Sequence, residues 1–446
     1  VRSNFLSDLS SAAALIRSHD FLNFFLQCDA GGITAAAIVA KALLRENKEF
    51  SITCFPTLSE AYMQVIESTD SECTVVTDLG ASYIKRFDAM SCDVIVLDHH
   101  TLGDQAERIC YANPHLYGIN GSKNGCGATM AFLLAITLNE NNWDLSALAI
   151  TGIAGDRQHT EGMKELNKFI LDGAVKRGFV RTMPGSFIPV GNLSSELFIS
   201  TDPYIVGVSA EPDSTAELLK EARIDGNLNS ADLTDEESLR LSSLIALKLI
   251  RQGISREAME ECTRTRYYLP QWGTDAESLS SVINACGHNE KEGAGLAIAL
   301  GDPKALDEAK RLDSESRRKV VEAVKSLVDE KKIHEMEYIR WMDCSNTGFT
   351  GMITSIVKSN LSSADKVVIG MNCSDEVAKV SSRLMKSLSA KGVNMSTVFK
   401  QACAEMGGEG GGHPEAAGGS FLSSRREEFL ALVNRLVGEQ LASNAE

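Results

Sequence analysis

The sequence predicts an α/β protein in which a parallel sheet is flanked by helices and a long helix leads to a smaller α/β domain. Short apolar runs alternate with amphipathic stretches up to about residue 178, which is the pattern of βαβ units. The runs are rich in Val, Ile and Leu, as in parallel strands that are buried on both faces. A chain of 446 residues is too long for a single core, so we expect two or three domains.

The first domain, predicted over residues 1–182, contains the most informative strand. The run 93–97 is continuously apolar after its first residue, and Asp98, His99 and His100 follow it directly. Open α/β sheets bind ligands at the carboxyl ends of their strands. Imidazole and carboxylate together suit Mn²⁺, Fe²⁺ or Zn²⁺. A polar turn would be the simpler interpretation if this tripeptide stood alone.

Three further apolar runs also end in an aspartate. Runs 24–28, 73–77 and 147–155 lead to Asp29, Asp78 and Asp156. A single Asp in such a place is more often a helix cap or a turn residue than a ligand. The recurrence indicates a site that is assembled from several strand ends and binds a metal or a phosphate.

The remainder of the chain is predicted in three parts. Residues 183–305 are mixed and helix-leaning, so we expect a subdomain that completes the first lobe or is inserted in it. Residues 306–335 carry an apolar stripe at three-to-four spacing, which predicts a connecting helix. Residues 336–446 hold three strand-like runs and a terminal helix over 427–441, which predict the second domain.

Composition favours a cytoplasmic protein without a membrane partner. No uninterrupted apolar stretch reaches the roughly 18 residues of a membrane span. The eleven cysteines form no Cys-x-x-Cys pair, which argues against a zinc ribbon and a disulfide framework and for reduced thiols. The opening residues lack an apolar segment followed by a small-residue cleavage site.

The formal charge of −16 argues against a protein that coats duplex DNA by neutralising its phosphates, because such proteins are normally basic overall. Any contact with nucleic acid must be local, with metal ions supplying part of the positive charge. Residues 377–404 carry five basic side chains and no acid, and a glycine run over 407–412 follows them. Glycine lets backbone N–H groups approach phosphate oxygens, so we expect a phosphate-binding loop. A solvated helix face and a flexible linker are the alternatives.

Taken in order, these motifs resemble those of the DHH phosphoesterase superfamily. The stretch 407–418 resembles the glycine-rich motif of the DHH-associated domain, and smaller matches occur at 113–114, 283–287 and 380–383. Together they make nearly the whole chain similar to archaeal RecJ-like nucleases. The residues that carry the first match are Asp29, Asp78, Asp98, His99, His100 and Asp156.

The resemblance implies a site with two divalent ions, usually Mn²⁺, with Mg²⁺ as the alternative. Asp29 would hold one ion, Asp78 would bridge both, and His99 and Asp156 would hold the second. Among the residues implied to be catalytic, Asp98 would orient the neighbouring histidine. His100 would contact the phosphate or assist the leaving group.

The DHH-associated domain of such proteins holds single-stranded nucleic acid while the first domain cuts it. The residues that would bind the strand here are Arg383, Ser382, Gly410, Gly411, Gly412 and His413.

The first motif departs from the family pattern. Active members carry aspartate where this chain has Gly31, and histidine or aspartate where it has Gln27. One hypothesis is a weakened metal-dependent exonuclease on single-stranded DNA or RNA, linked to DNA replication or repair. It is favoured because the other motif residues are retained. The second hypothesis is a catalytically impaired scaffold that binds the GINS complex at the replication fork. A small-molecule enzyme acting on oligonucleotides or cyclic dinucleotides is a third.

Overall fold

A computed structural model describes residues 3–362 and 365–443 of the chain. Contacts divide these residues into two compact units. The first comprises the chain up to Pro184 together with Arg264–Asp313, and the second comprises Gly185–Thr263 and the chain from Ser314 onward.

The helices are numbered in chain order, and short 3₁₀ turns are left unnumbered. They are α1 (Ser3–Ser18), α2 (Ala30–Arg45), α3 (Glu60–Ser68), α4 (Ile84–Asp88), α5 (Gly127–Leu138), α6 (Ser146–Gly155), α7 (Glu165–Lys176), α8 (Leu193–Phe198), α9 (Pro212–Glu221), α10 (Asp235–Arg251), α11 (Arg256–Cys262), α12 (Ala276–His288), α13 (Glu292–Leu300), α14 (Pro303–Asp329), α15 (Thr350–Asn360), α16 (Lys386–Ser389), α17 (Met395–Glu405) and α18 (Arg426–Ser443).

The strands are numbered in the same way. They are β1 (Phe21–Gln27), β2 (Glu49–Phe55), β3 (Cys73–Thr77), β4 (Asp93–Leu97), β5 (Cys110–Ala112), β6 (Arg181–Met183), β7 (Arg266–Leu269), β8 (Thr274–Asp275), β9 (His334–Glu335), β10 (Ile339–Asp343), β11 (Val367–Asn372), β12 (Val377–Arg383), β13 (Gly410–His413) and β14 (Ala416–Leu422).

The first unit is built on the parallel sheet that the apolar runs predict. Its strand order is β2-β1-β3-β4-β5, and every neighbouring pair is parallel. Val75 and Ile95 pack with α2 and α5 on one face of the sheet, whereas Val76 and Val96 pack with α3 and α4 on the other. Both faces are therefore covered, which explains why β3 is buried throughout and β4 is buried after Asp93.

One apolar run forms a helix rather than the strand that a site built from strand ends implied. The run over 147–155 lies within α6, so Asp156 follows a helix end. Its residues are mainly Ala, Leu, Ile and Gly, and those of α6 up to Ala154 are buried. A buried apolar run of this length does not distinguish strand from helix by periodicity, and its Ala and Leu content favours helix.

The segment predicted as one subdomain, 183–305, is divided between the units. Residues 185–263 group with the second unit and residues from 264 onward with the first. The helix expected over 306–335 is α14, which ends at Asp329 and is followed by β9. The boundary between the units falls after Asp313, within α14, and the predicted domain limits remain predictions.

The second unit contains a mixed sheet in the order β13-β14-β12-β11-β10-β9. The glycine run expected to form a phosphate-binding loop supplies β13, whose backbone pairs with β14. A Cβ on Gly410 would lie 2.5 Å from the Phe399 carbonyl oxygen, and one on Gly419 would lie 2.6 Å from Cys403 Sγ. These two glycines therefore let α17 pack directly on the sheet, and pairing with β14 overrides their weak strand propensity.

Among the described residues, no helix is both long and apolar enough to cross a membrane. All eleven cysteines are free thiols.

Candidate metal centre and phosphate-binding face

Three side chains of the first unit converge at the carboxyl edge of the sheet. Potential ligand atoms of Asp78, His99 and Asp156 lie within 4.8 Å of one another. His99 Nε2 is 3.3 Å from Asp78 Oδ1 and 3.7 Å from Asp156 Oδ2. Asp78 follows β3, His99 follows β4 and Asp156 follows α6, so residues far apart in the chain meet at one point.

Hydrogen bonding orients His99 toward the two carboxylates. Its Nδ1 lies 2.8 Å from the Gly121 carbonyl oxygen, and a carbonyl can only accept, so Nδ1 carries a proton. In the neutral ring, Nε2 then presents a lone pair to two carboxylate oxygens. A lone pair and two carboxylate oxygens repel one another, so a cation must lie between Nε2 and the carboxylates. Burial alone would lower the pKa of His99, yet the Asp78 and Asp156 carboxylates raise it to about 10, so a proton takes that position when no metal does.

The two carboxylates have oxygens without other partners. Asp78 Oδ1 and Asp156 Oδ2 are buried and accept no hydrogen bond from the residues that the structure describes. Buried carboxylate oxygens are normally hydrogen-bonded or bound to metal. A divalent ion held by two carboxylates and one imidazole would satisfy these atoms, and this donor set suits Mn²⁺, Fe²⁺ or Zn²⁺.

Asp78 is held in an unusual backbone conformation. Its φ is +62°, in the left-handed region, and its N–H donates to the Leu97 carbonyl oxygen at 2.8 Å. Side chains other than glycine adopt this region rarely, and such residues cluster at functional sites. Gly127 at the start of α5 makes room for the carboxylate, because a Cβ there would lie 2.3 Å from Asp78 Oδ1.

Asp29 lies beside the same cluster but has a second task. It caps α2, with its Oδ1 accepting the Gly32 N–H at 2.9 Å. Burial, followed by the charges of Asp78 and Asp156, raises the pKa of Asp29 to about 7. Burial and Asp78 likewise raise the pKa of Asp156 to about 6. Burial is the larger cause of both shifts and the crowding of acids the next, and a bound cation would relieve the repulsion between the carboxylates.

Asp98 acts behind the cluster rather than in it. It is fully buried, and its Oδ1 accepts hydrogen bonds from the His99 N–H and from the N–H and Nδ1 of His100. Its Oδ2 accepts the Ala81 N–H at 2.7 Å. Burial alone would raise the pKa of Asp98, but His100 and its other donors hold it well below its usual range. Asp98 therefore positions the histidines, as outer carboxylates do in metal sites.

Several contributors were not singled out from the sequence as parts of the site. Gly121 orients His99, and Gly127 accommodates Asp78. Asn284 Oδ1 accepts the Ala30 N–H at 2.7 Å, and a Cβ on Gly287 would lie 1.8 Å from the Cys28 carbonyl oxygen. Thus α12 packs directly against the backbone that carries Asp29. The available signals were the family match at 283–287 for Asn284 and Gly287, and a glycine at the start of a helix for Gly127.

In the second unit, Arg383, Gly411 and His413 share one sheet face, whereas Ser382, Gly410 and Gly412 belong to the other. Arg383 and His413 are each paired with Ala416, from opposite sides, so the three side chains lie on the same face. A Cβ on Gly411 would meet nothing within 4 Å, and one on Gly418 would meet only the Val380 carbonyl oxygen. We call these residues, together with Ser381, the phosphate-binding face, after the role that the sequence analysis expects of them.

Ser382 does not lie on the phosphate-binding face. It is fully buried, and its hydroxyl donates to the Ala417 carbonyl oxygen at 3.3 Å. Side chains alternate along a strand, so Ser381 and Arg383 share a face while Ser382 points to the core. The same alternation separates Gly411 from Gly410 and Gly412. Arg383 donates to Ser381 and Ser355 hydroxyls at 3.0 and 3.2 Å, which fixes its guanidinium over the face.

Comparison with protein families matches both parts of the chain. The family model of the DHH N-terminal domain matches residues 26–153, and the model of the DHHA1 domain matches residues 344–439. An uncharacterised protein of Methanocaldococcus jannaschii is 29% identical over 436 residues, which cover 96% of this chain and 95% of that protein.

Solved structures share the fold at low identity. RecJ from Thermus thermophilus, in complex with Mn²⁺, superposes with a TM-score of 0.60 at 16% identity, over 97% of this chain. The chain spans only 55% of that RecJ. CDC45 from Entamoeba histolytica superposes with a TM-score of 0.64 at 10% identity, over 97% of this chain and 99% of CDC45. At these identities, both similarities show a shared fold and nothing more.

Proposed function

Because the chain belongs to the DHH superfamily, with a DHH domain followed by a DHHA1 domain, we propose that it is a metal-dependent exonuclease of the RecJ-like kind. Its substrate would be single-stranded DNA or RNA, and its reaction the hydrolysis of phosphodiester bonds. The observation that supports this most directly is the convergence of Asp78, His99 and Asp156 around buried carboxylate oxygens that lack hydrogen-bond partners among the described residues.

In this proposal the residues of the first unit have separate roles in metal binding, positioning and phosphate contact. Asp78, His99 and Asp156 would hold the ion, which we expect to be Mn²⁺, with Mg²⁺ as the alternative. A bound divalent ion lowers the pKa of a coordinated water and offsets charge on a phosphate. Asp98 fixes the tautomer of His100 by accepting from Nδ1 at 2.7 Å. His100 is the side chain next to the cluster that could contact the phosphate or protonate a leaving oxygen.

The phosphate-binding face would hold the strand. Arg383 and His413 flank Ala416, and the small residues Gly411 and Gly418 leave the sheet surface accessible between them. An arginine and an imidazole on either side of a shallow surface suit a phosphate group. Since the chain has a formal charge of −16, a local site of this kind fits better than a broad basic surface.

Hydrolysis of labelled single strands tests the catalytic part. We expect Mn²⁺-dependent release of label, and we expect Asp78→Ala to lower it by more than the roughly 10–100-fold that loss of an outer residue causes. Asp172→Ala is the matched control, because Asp172 is an exposed acid on α7 that pairs with Lys168 one turn away. Equal release by the wild type and Asp78→Ala at saturating Mn²⁺ would refute the proposal.

Measuring the binding of single-stranded nucleic acid at different salt concentrations tests the proposed role of the phosphate-binding face. Arg383→Ala should weaken binding and reduce the dependence of log K on log salt by about one phosphate contact. Arg435→Ala on α18 is the control, since Arg435 is exposed and forms an i,i+4 pair with Glu439. An unchanged salt slope in Arg383→Ala would place the nucleic-acid surface elsewhere.

A second candidate function is a replication scaffold that binds the GINS complex. It is favoured by Gly31, which supplies no carboxylate to the metal centre, and by the fold that the chain shares with CDC45. Copurification with GINS subunits tests it. Under this alternative, Asp78→Ala would bind GINS as well as the wild type does, and neither protein would release label. Absence of any complex would count against it.

A further inference from the structure

The metal centre has two positions where an ion could bind, and they differ in the number of ligand atoms available. On one side, Asp78, His99 and Asp156 supply three potential ligand atoms within 4.8 Å of one another. On the other side stands Asp29, whose Oδ1 already accepts the Gly32 N–H at 2.9 Å. Asp98 adds nothing to either side, because both of its oxygens accept hydrogen bonds from neighbouring N–H groups.

The gap on the Asp29 side is at Gly31. A Cβ built there would lie 2.7 Å from Asp78 Oδ2, 3.1 Å from Asp156 Oδ1 and 3.4 Å from Asp29 Oδ1. Position 31 therefore points into the middle of three carboxylates, and it carries no side chain. Of the three carboxylates around this point, Asp29 is the one that the first ion does not use, because Asp78 and Asp156 already belong to the cluster with His99.

From this imbalance we propose that the chain binds one divalent ion tightly, through Asp78, His99 and Asp156, and cannot retain a second without a phosphate ligand. The inference rests on the proposed function for the identity of the site. Positions with one or two carboxylates bind Mg²⁺-like ions mainly with the help of substrate phosphates and waters. The free protein is thus a one-ion centre, in contrast to the two ions that the family resemblance implies.

The backbone at position 31 can accept the missing carboxylate. Gly31 lies in the first turn of α2, and it is not among the glycines with positive φ. An acid in the first turn of a helix is favourable. Its nearest contact would be the end of the Asp78 side chain, which can move when it binds a second ion. Gly31→Asp should therefore create the second position.

Equilibrium dialysis against MnCl₂ with metal analysis and Mn²⁺ electron paramagnetic resonance tests the inference. At micromolar free Mn²⁺ we expect one ion per wild-type chain, with the six-line spectrum of an isolated ion. Gly31→Asp should bind two ions and show a spin-coupled spectrum. Gly31→Ala, which adds a Cβ without a ligand, should still bind one.

Two further variants assign the tight position. Asp29→Asn should retain the single ion, since asparagine also caps helices well, whereas Asp156→Asn should lose it. Two ions in the wild type, or loss of the single ion in a folded Asp29→Asn variant, would overturn the inference and leave the proposed function intact. No bound Mn²⁺ in the wild type would overturn the inference and the metal-dependent function together. Circular dichroism establishes that each variant is folded.

Discussion

At the scale of single residues, the metal centre depends on where side chains are absent as much as on where they are present. Asp78 occupies its position because Gly127 leaves space beside its carboxylate. The left-handed φ of Asp78 then turns the side chain toward His99. A glycine at the start of a helix therefore has a defined role in the geometry of the ligands.

Gly127→Ala tests that role. The added Cβ would lie 2.3 Å from Asp78 Oδ1, so the carboxylate must move. We expect Mn²⁺ affinity to fall by roughly 10–100-fold, as when other supporting residues of metal sites are lost. Gly293→Ala on α13 is the control, because a Cβ there meets nothing within 4 Å. Unchanged affinity in a folded Gly127→Ala variant, measured by calorimetry, would contradict this role of Gly127.

At the scale of elements, the sequence predicted those parts whose patterns have a single structural meaning. Strands β3 and β4 were predicted correctly because continuous runs of β-branched residues suit doubly covered parallel strands. The run before Asp156 formed α6 instead, since a buried apolar run carries no periodicity that separates helix from strand.

The metal-ligating side chains could be predicted from the sequence, but the residues that support them could not. Asp78, His99 and Asp156 follow apolar runs, which local reading can detect. Asn284 lies in the stretch 283–287 that the family resemblance marks. Its contact with Ala30, like that of Gly127 with Asp78, joins residues far apart in the chain, and no local pattern reports such contacts. Ser382 was misplaced because its side of the strand depends on strand register, which a short motif does not reveal.

The glycine run of β13 provides a matched test at the level of elements. Gly410→Ala would place a Cβ 2.5 Å from the Phe399 carbonyl oxygen and push α17 off the sheet, whereas Gly411→Ala meets nothing within 4 Å. Overpacking typically costs about 1–3 kcal/mol, so urea unfolding should show that loss for Gly410→Ala. Gly411→Ala should stay within about 0.5 kcal/mol of the wild type. Equal stability of the two variants would argue against β13 as a packed strand.

At the scale of the whole molecule, stability in acid should depend on a buried ion pair of the first unit. Arg264 donates to Glu277 through Nε at 3.1 Å, and His159 Nε2 lies 3.0 Å from the same carboxylate. Burial alone would raise the pKa of Glu277, but His159 and Arg264 hold it well below its usual value of 4.5. A lowered carboxyl pKa stabilises the fold above pH 4.5, and that contribution is lost as the pH falls further.

Urea unfolding of wild type and Glu277→Gln between pH 3 and 7 checks this sign. The free energy of unfolding of the wild type should fall more steeply below about pH 4.5 than that of the variant, because only the wild type must protonate this carboxylate. Near neutral pH the variant should be less stable, since the buried Arg264 loses the negative charge of Glu277. Parallel pH profiles for the two proteins would show that Glu277 titrates normally.

Every role assigned to the first unit depends on a divalent ion binding where Asp78, His99 and Asp156 converge. The most direct measurement is anomalous X-ray scattering at the manganese edge from crystals of the full chain grown with MnCl₂. We predict a strong peak within coordination distance of all three side chains. Its absence, or a peak bound by other residues, would contradict the central claim.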